Sequence, residues 1–117
     1  MKLDLTGIHV EITEGINDFV QKKVEKLEKF FDSSTICHVT ISVEKENKLV
    51  DIRIEYKGRT YLAKEIGEDM YYSLEKVIEK IEGQARKTKA LIEKKRREGI
   101  AEEVLDKLTL EETLKEE

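Results

Sequence analysis

Apolar residues recur along the 117-residue chain with two distinct periods. Alternation of apolar and polar residues, the pattern of a strand with one buried face, runs through segments 2–12, 37–44, 50–56 and 59–66. Intervals of three and four residues, the pattern of an amphipathic helix, run through segments 14–31 and 69–98. The chain therefore predicts the element order β-α-β-β-β-α.

Two of the predicted strands are ambiguous in detail. In the first strand the apolar alternation shifts its parity by one after Gly7, which predicts a bulge or bend at this residue. In the fourth strand both parities contain apolar residues. Either Tyr61 and Ala63 or Leu62 and Ile66 face the core, and the sequence does not choose between these two pairs.

The connections between the elements predict the topology. A helix between the first two strands is a crossover, so these strands are parallel if they are adjacent. The last three strands follow one another through short turns, including Lys57-Gly58, and form an antiparallel meander. Each strand has one apolar side and each helix one apolar stripe. We therefore predict an α+β fold, a single-layer four-stranded mixed sheet with two helices on one face.

A change of composition near Gly99 predicts a boundary in the chain. Residues 1–99 contain all six elements and are long enough for one domain. Residues 100–117 form an acidic C-terminal tail with interspersed apolar residues, namely Val104, Leu105, Leu108, Leu110 and Leu114. We expect this tail to be either flexible or partly helical, and its apolar residues to fold on a partner in the first case.

The formal net charge of −4 is unevenly distributed. Residues 101–117 carry a net −5, whereas residues 1–100 carry 20 basic and 19 acidic groups. The largest local excess lies at 86–97, where seven basic residues stand against Glu93. This end of the second helix also outreaches the sheet, since about 30 helical residues span ~45 Å and strands of about eight residues span ~27 Å. Binding to a nucleic acid would therefore depend on this local basic surface, and the isoelectric point of the whole chain does not predict it.

Residues that could carry catalysis or bind a metal are sparse. Cys37 is the single cysteine, which excludes an internal disulfide, and its strand neighbour His38 points to the opposite face. The sequence has no Gly-rich phosphate loop, nucleophile elbow or helical metal-ligand pair. We predict no enzymatic activity, cofactor, metal or small-molecule substrate. Without an 18-residue apolar run or a signal-like start, we predict a cytoplasmic protein with no membrane partner.

Both predicted helices separate their charges by sign when residues are projected at 100° intervals. On the second helix, an outward basic stripe is formed by Lys76, Lys80, Lys87 and Lys94. On the first helix, a similar stripe is formed by Lys22, Lys26 and Lys29. A solvated surface with ion pairs within each helix is the simpler interpretation. The separation of sign, together with Arg86, Lys89 and the basic run 94–97, favours contacts to successive phosphates.

Several segments resemble one known family. These segments are Thr6-Gly7 through Ile12-Thr13-Glu14, Val24 to Phe31, Glu68-Asp69-Met70-Tyr71, Lys80-Ile81-Glu82 and Gln84 to Lys89. In them the chain resembles the ribosome hibernation-promoting and ribosome-associated inhibitor proteins, also called sigma-54 modulation proteins. The likeness covers residues 1–98 in order and without large gaps.

The resemblance implies a fold similar to double-stranded RNA-binding domains. It also implies binding to the small ribosomal subunit, in the RNA channel, with occlusion of the messenger and transfer RNA sites under stress or in stationary phase. By position, the residues that would contact ribosomal RNA are Lys22, Lys23, Lys26, Lys80, Arg86, Lys87 and Lys89. Together with the stripes, the predicted RNA-binding set therefore also includes Lys29, Lys76 and Lys94. One departure is Gly83, where the family usually has an arginine.

Two other functions stay open at the level of sequence. One is a generic double-stranded RNA-binding module, although Glu68-Asp69 opens the second helix where such a module would have lysines. The other is a protein-interaction domain that acts through the acidic tail, toward a basic ribosomal protein or a regulator. The sequence also does not decide between silencing of single ribosomes and ribosome pairing, or between a short-type protein and a truncated long-type one.

Overall fold

The computed structural model describes residues 1–101 together with residues 104 and 105. Its strands are β1 (Lys2–Ile8), β2 (Ile36–Glu44), β3 (Asn47–Tyr56) and β4 (Arg59–Gly67). Its α-helices are α1 (Glu14–Val24) and α2 (Met70–Arg97), and a 3₁₀ segment (Glu25–Phe30) follows α1 directly. The predicted order β-α-β-β-β-α is confirmed.

The four strands form one mixed sheet in the order β1-β2-β3-β4. β1 and β2 are parallel, because the crossover through α1 returns the chain to the same end of the sheet. The β2–β3 and β3–β4 pairs are antiparallel. The β3–β4 turn has positive φ angles at both Lys57 (51°) and Gly58 (78°), the combination typical of a tight type I′ hairpin.

The core lies between the sheet and the helices, and it decides the orientation of β4. Ile54 stands opposite Tyr61 in the register, and Ile52 stands opposite Ala63. Tyr61 is therefore on the buried face and only 3% exposed, whereas Leu62 is 44% and Ile66 63% exposed on the other face. Of the two alternatives that the sequence left open, the first is the one observed.

The predicted bulge at Gly7 is wrong. The pairing of β1 with β2 continues without interruption through Gly7 opposite Ile41 and Ile8 opposite Ser42. Ile8 consequently lies on the outer face of the sheet and is exposed. The parity changes only after the strand has ended, at His9, whose φ of 59° redirects the chain so that Val10 packs against the core.

The first helix is shorter than the apolar period predicts. It begins at a Thr13 cap, whose Oγ1 accepts a hydrogen bond from the Ile16 amide at 3.2 Å. It changes at Glu25 into the 3₁₀ segment, where Leu27 remains fully buried. With three residues per turn, Lys26 and Lys29 lie directly above one another on the outside of this segment.

Both ends of α2 have defined caps. Asp69 Oδ1 accepts hydrogen bonds from the amides of Tyr71 (2.9 Å) and Tyr72 (3.3 Å). At the other end Gly99 has a φ of 84°, and the amides of Gly99 and Ile100 donate to the carbonyls of Arg96 and Lys95 at 3.0 and 3.1 Å. This is the Schellman arrangement, with Gly99 as the residue of positive φ that follows the C-cap Glu98.

The C-terminal part of α2 extends past the sheet, as predicted from its length. Its 28 residues span ~42 Å, whereas the ten residues of β3 span ~33 Å. Thr88 is the last buried residue of the helix. Beyond Gly99, Leu105 is again buried, and residues 102, 103 and 106–117 of the predicted tail lie outside the described residues.

Substitution of Gly7 by alanine is expected to destabilise the fold. A Cβ atom at Gly7 would lie 2.5 Å from the Val10 carbonyl oxygen, which belongs to the rigid backbone. We expect Gly7→Ala to lower the free energy of unfolding by roughly 1–3 kcal/mol in urea titrations, the range for overpacking. Gly15→Ala is the matched control, because the nearest atom to its Cβ lies 4.0 Å away and alanine favours the helix. An unchanged Gly7→Ala midpoint would contradict the close approach.

The Cys37 thiol is expected to be unreactive in the native protein. The side chain is fully buried in the core, and burial raises the pKa of the thiol to about 12. Because the thiolate is the reactive form, iodoacetamide at pH 8 should alkylate Cys37 slowly in buffer and rapidly in denaturant. Mass spectrometry over time measures both rates. Equal rates in the two conditions would contradict the buried position.

Candidate nucleic-acid interface

The basic stripe of α2 faces the β4 edge of the sheet. Lys80 Nζ donates to the Lys64 carbonyl at 3.2 Å and forms an ion pair with Glu65 at 2.6 Å. One turn further, Gln84 Nε2 donates to the Leu62 carbonyl at 2.7 Å. These contacts place the flank that carries Lys76, Lys80, Lys87 and Lys94 above the edge strand.

The lysines of this stripe differ in their contacts with other residues of the chain. Lys76 Nζ lies 3.7 Å from Glu79 and 5.4 Å from the ring centroid of Tyr72. The carboxylate of Glu79, followed by Tyr72, raises the pKa of this ammonium group, so it is fully charged at neutral pH. Lys87 also has a partner within the chain. Lys94, on the part of α2 beyond the sheet, is exposed.

The lysines predicted on the first helix divide into two roles. Lys22 and Lys26 are exposed. Lys23 points toward α2, where its Nζ forms an ion pair with Glu75 at 2.9 Å and lies 5.4 Å from the ring centroid of Phe19. Lys23 therefore joins the two helices and is half-buried, so it is less available to a partner than its two neighbours.

An acidic flank separates the two basic stripes. The Lys23–Glu75 pair shows that the glutamate side of α2 faces α1. The same flank carries Glu82, which pairs with Arg86 at 3.4 Å. Because the lysine stripe of α2 points away from α1, the helical surface alternates in charge. The sequence showed the stripes on each helix but not this order, which depends on how the helices are rotated in the fold.

The predicted residues Lys29 and Lys89 come together at one end of this surface. They line a cavity of about 190 Å³ that is bounded by the 3₁₀ segment, the β3–β4 turn and the C-terminal half of α2. Lys57 and Arg96 line it as well, and neither was in the predicted set. Arg96 belongs to the basic run 94–97 described above. The sequence around Lys57 contains nothing that predicts a binding residue, apart from its position in a turn.

Gly83 lies on the same flank as the α2 stripe. It is exposed, and a Cβ atom added there would meet no other atom within 4 Å. The position can therefore hold the long side chain that the family resemblance implies.

Cys37 and His38, the two candidates for catalysis or metal binding, both occupy structural positions in the sheet. Cys37 is buried in the core. His38 lies on the opposite, outer face of the sheet, with its Nδ1 3.0 Å from Asp4 Oδ2. Within residues 1–101, 104 and 105, no cluster of three or more histidine, cysteine or acidic residues could hold a metal ion. In the same part of the chain, none of the helices is both long and apolar enough to cross a membrane.

Sequence comparisons place these helices in a family. The profile of the family described as Sigma 54 modulation protein / S30EA ribosomal protein matches residues 3–93. A Klebsiella oxytoca protein named Ribosome hibernation promoting factor is 37% identical over 89 residues, which cover 76% of this chain and 94% of that protein. A protein of the same name from Pseudomonas putida is 32% identical over 89 residues, which cover 76% and 87% of the two chains.

Two solved structures share the fold. The N-terminal domain of Thermus thermophilus Protein Y superposes with a TM-score of 0.69 at 25% identity, covering 74% of this chain and 98% of that one. A ribosomal subunit interface protein from Coxiella burnetii superposes with a TM-score of 0.67 at 26% identity, covering 77% and 99%. The matched profile covers all of α1 and α2 up to residue 93. The chain therefore belongs to the Sigma 54 modulation protein / S30EA ribosomal protein family.

Proposed function

We propose that this chain is a ribosome hibernation factor, a non-enzymatic inhibitor of translation in the cytoplasm. In this proposal residues 1–99 bind the RNA channel of the small ribosomal subunit and occlude the messenger and transfer RNA sites under stress. The observation that carries it is the 37% identity to a protein named Ribosome hibernation promoting factor, over an 89-residue alignment that covers most of the domain.

The geometry supports a surface that meets folded RNA. Lys22 and Lys26 are exposed on one side of the acidic flank, and Lys94 is exposed at the projecting end of α2. The axes of packed helices lie 8–10 Å apart. An RNA that contacts both stripes must therefore present two separate rows of phosphates, one to each helix. Glu75 and Glu82, between the stripes, repel a phosphate that crosses them. A folded RNA surface with fixed phosphate positions meets this requirement better than a single uniform strand.

The generic double-stranded RNA-binding module is the weaker candidate. The start of α2 is occupied by its own carboxylate, because Asp69 accepts hydrogen bonds from Tyr71 and Tyr72. A phosphate would be repelled from this helix end, which such modules use for phosphate contacts. Affinity for naked duplex RNA should therefore be much lower than affinity for small ribosomal subunits.

The acidic tail, residues 100–117, adds a second possible contact in this proposal. Its net negative charge suits a basic ribosomal protein better than RNA. Removal of residues 106–117 should leave binding to the RNA channel largely intact. Complete loss of ribosome binding would instead make the tail the main anchor and favour the protein-interaction alternative.

Charge reversal at the exposed lysines is expected to release the protein from ribosomes. We expect the combined variant Lys22→Glu, Lys26→Glu and Lys94→Glu to be lost from the small-subunit fraction in sedimentation. The slope of log affinity against log salt should fall by roughly 0.7–0.9 for each phosphate contact that is lost. The matched control, Lys2→Glu, Lys45→Glu and Arg53→Glu, changes the same charge at exposed positions of the sheet and its β2–β3 turn, away from the helices. Equal behaviour of the two variants would contradict the proposed surface.

Gly83 offers a gain-of-binding test. Gly83→Arg adds a cation to the stripe and should tighten binding to small subunits, whereas Gly83→Ala should not. Both variants should raise the free energy of unfolding by up to ~1 kcal/mol, since glycine is unfavourable within a helix. Binding assays and urea titrations of the three proteins separate the two effects. Equal affinities for Gly83→Arg and Gly83→Ala would exclude a phosphate contact at this position.

A further inference from the structure

Lysine and arginine residues form a large part of the lining of the cavity at the end of the helical surface. The 3₁₀ segment, the β3–β4 turn and α2 each contribute at least one cation to it, respectively Lys29, Lys57 and Lys89. Glu93 is the only acidic side chain among the described residues that line it. Cations from three separate elements therefore converge on one concave site, unlike the stripes, which are linear and lie on convex helices.

Two of these lysines are held in place by aromatic rings. Lys29 Nζ lies 5.3 Å from the ring centroid of Phe30, and Lys57 Nζ lies 5.4 Å from that of Tyr56. Such cation–π contacts fix an ammonium group without neutralising its charge. The backbone of Lys57 is also constrained by the tight turn it forms with Gly58. The rim is therefore more ordered than a set of unconstrained surface lysines.

The floor of the cavity combines a buried positive charge with apolar surface from Ala85 and Ile92. Arg59 is 1% exposed, and Tyr61 and Thr88 are buried beside it. Burial raises the pKa of the Tyr61 hydroxyl, with opposing contributions from Thr88 and Arg59. A guanidinium group stays protonated even when buried, and its field is stronger there than in water. Arg59 has partners within the chain and need not touch a ligand to favour an anion above it.

The size and chemistry of the site fit one class of ligand. At ~30 Å³ per water, a volume of about 190 Å³ accommodates a phosphate group with a few waters. A metal cation is disfavoured by the lysines, and an apolar ligand by the charged rim. We propose that this cavity is a phosphate-binding site formed by Lys29, Lys57 and Lys89. This site depends on the proposed function only for the source of the phosphate. If the proposed function holds, that source is the backbone of ribosomal RNA.

The first experiment tests the site without ribosomes. Amide chemical shifts of the ¹⁵N-labelled protein are followed during titration with inorganic phosphate and with adenosine monophosphate, against sodium chloride at equal ionic strength. We expect saturable shifts at Lys57, Gly58 and the turn of α2 around Lys89. The double variant Lys57→Gln and Lys89→Gln should lose them, and Lys2→Gln with Lys45→Gln, at exposed positions outside the helices, should retain them. Absence of localised shifts with both probes, or their persistence in Lys57→Gln and Lys89→Gln, would overturn the proposal.

The second experiment identifies the source of the phosphate. If it is ribosomal RNA, Lys57→Gln and Lys89→Gln should bind small subunits about tenfold more weakly, the effect of ~1.4 kcal/mol. Unchanged ribosome affinity, with phosphate shifts lost, would assign the site to a free phosphate compound. If the unaltered protein shows local phosphate shifts but does not bind ribosomes, the proposed function fails and the site stands. Circular dichroism of each variant verifies that the fold is retained.

Discussion

Burial of the apolar row of α2 against the sheet fixes the rotation of this helix, and the rotation decides where its charges point. Leu74, Val77 and Ile81 are buried in the same cluster as Ile52 and Ile54 of β3. With this row facing inward, the lysine stripe faces the β4 edge and the glutamates face α1. The charge pattern of the whole helical surface therefore depends on a hydrophobic contact that carries no charge itself.

The same rotation gives the α2 flank a structural task as well. An edge strand exposes backbone groups that could pair with another chain. Lys80 and Gln84 reach across this edge and donate to the carbonyls of Lys64 and Leu62. Lys80 is thus partly committed to the sheet, whereas Lys94 lies beyond it. The stripe changes along its length from a contact that closes the sheet to a surface that can meet a partner.

The length of α2 relative to the sheet creates the end of the molecule that carries the cavity. Because the helix continues past the last strand residues, its C-terminal half stands beside the β3–β4 turn and the 3₁₀ segment and encloses the cavity with them. The change from α-helix to 3₁₀ at Glu25 also brings Lys29 to the rim. A continuous helix of the predicted length would have directed this lysine elsewhere, since it has 3.6 instead of three residues per turn.

The sequence by itself determined the order of the elements and the membership of each basic stripe. These features depend on residues within a few positions of one another, so periodicity suffices to predict them. Only the tertiary structure decided that Tyr61 faces the core, because both parities of β4 are apolar and the pairing with β3 makes the choice. Only the tertiary structure placed Lys57 beside Lys89, because distant residues meet through the packing of whole elements, which no local pattern encodes.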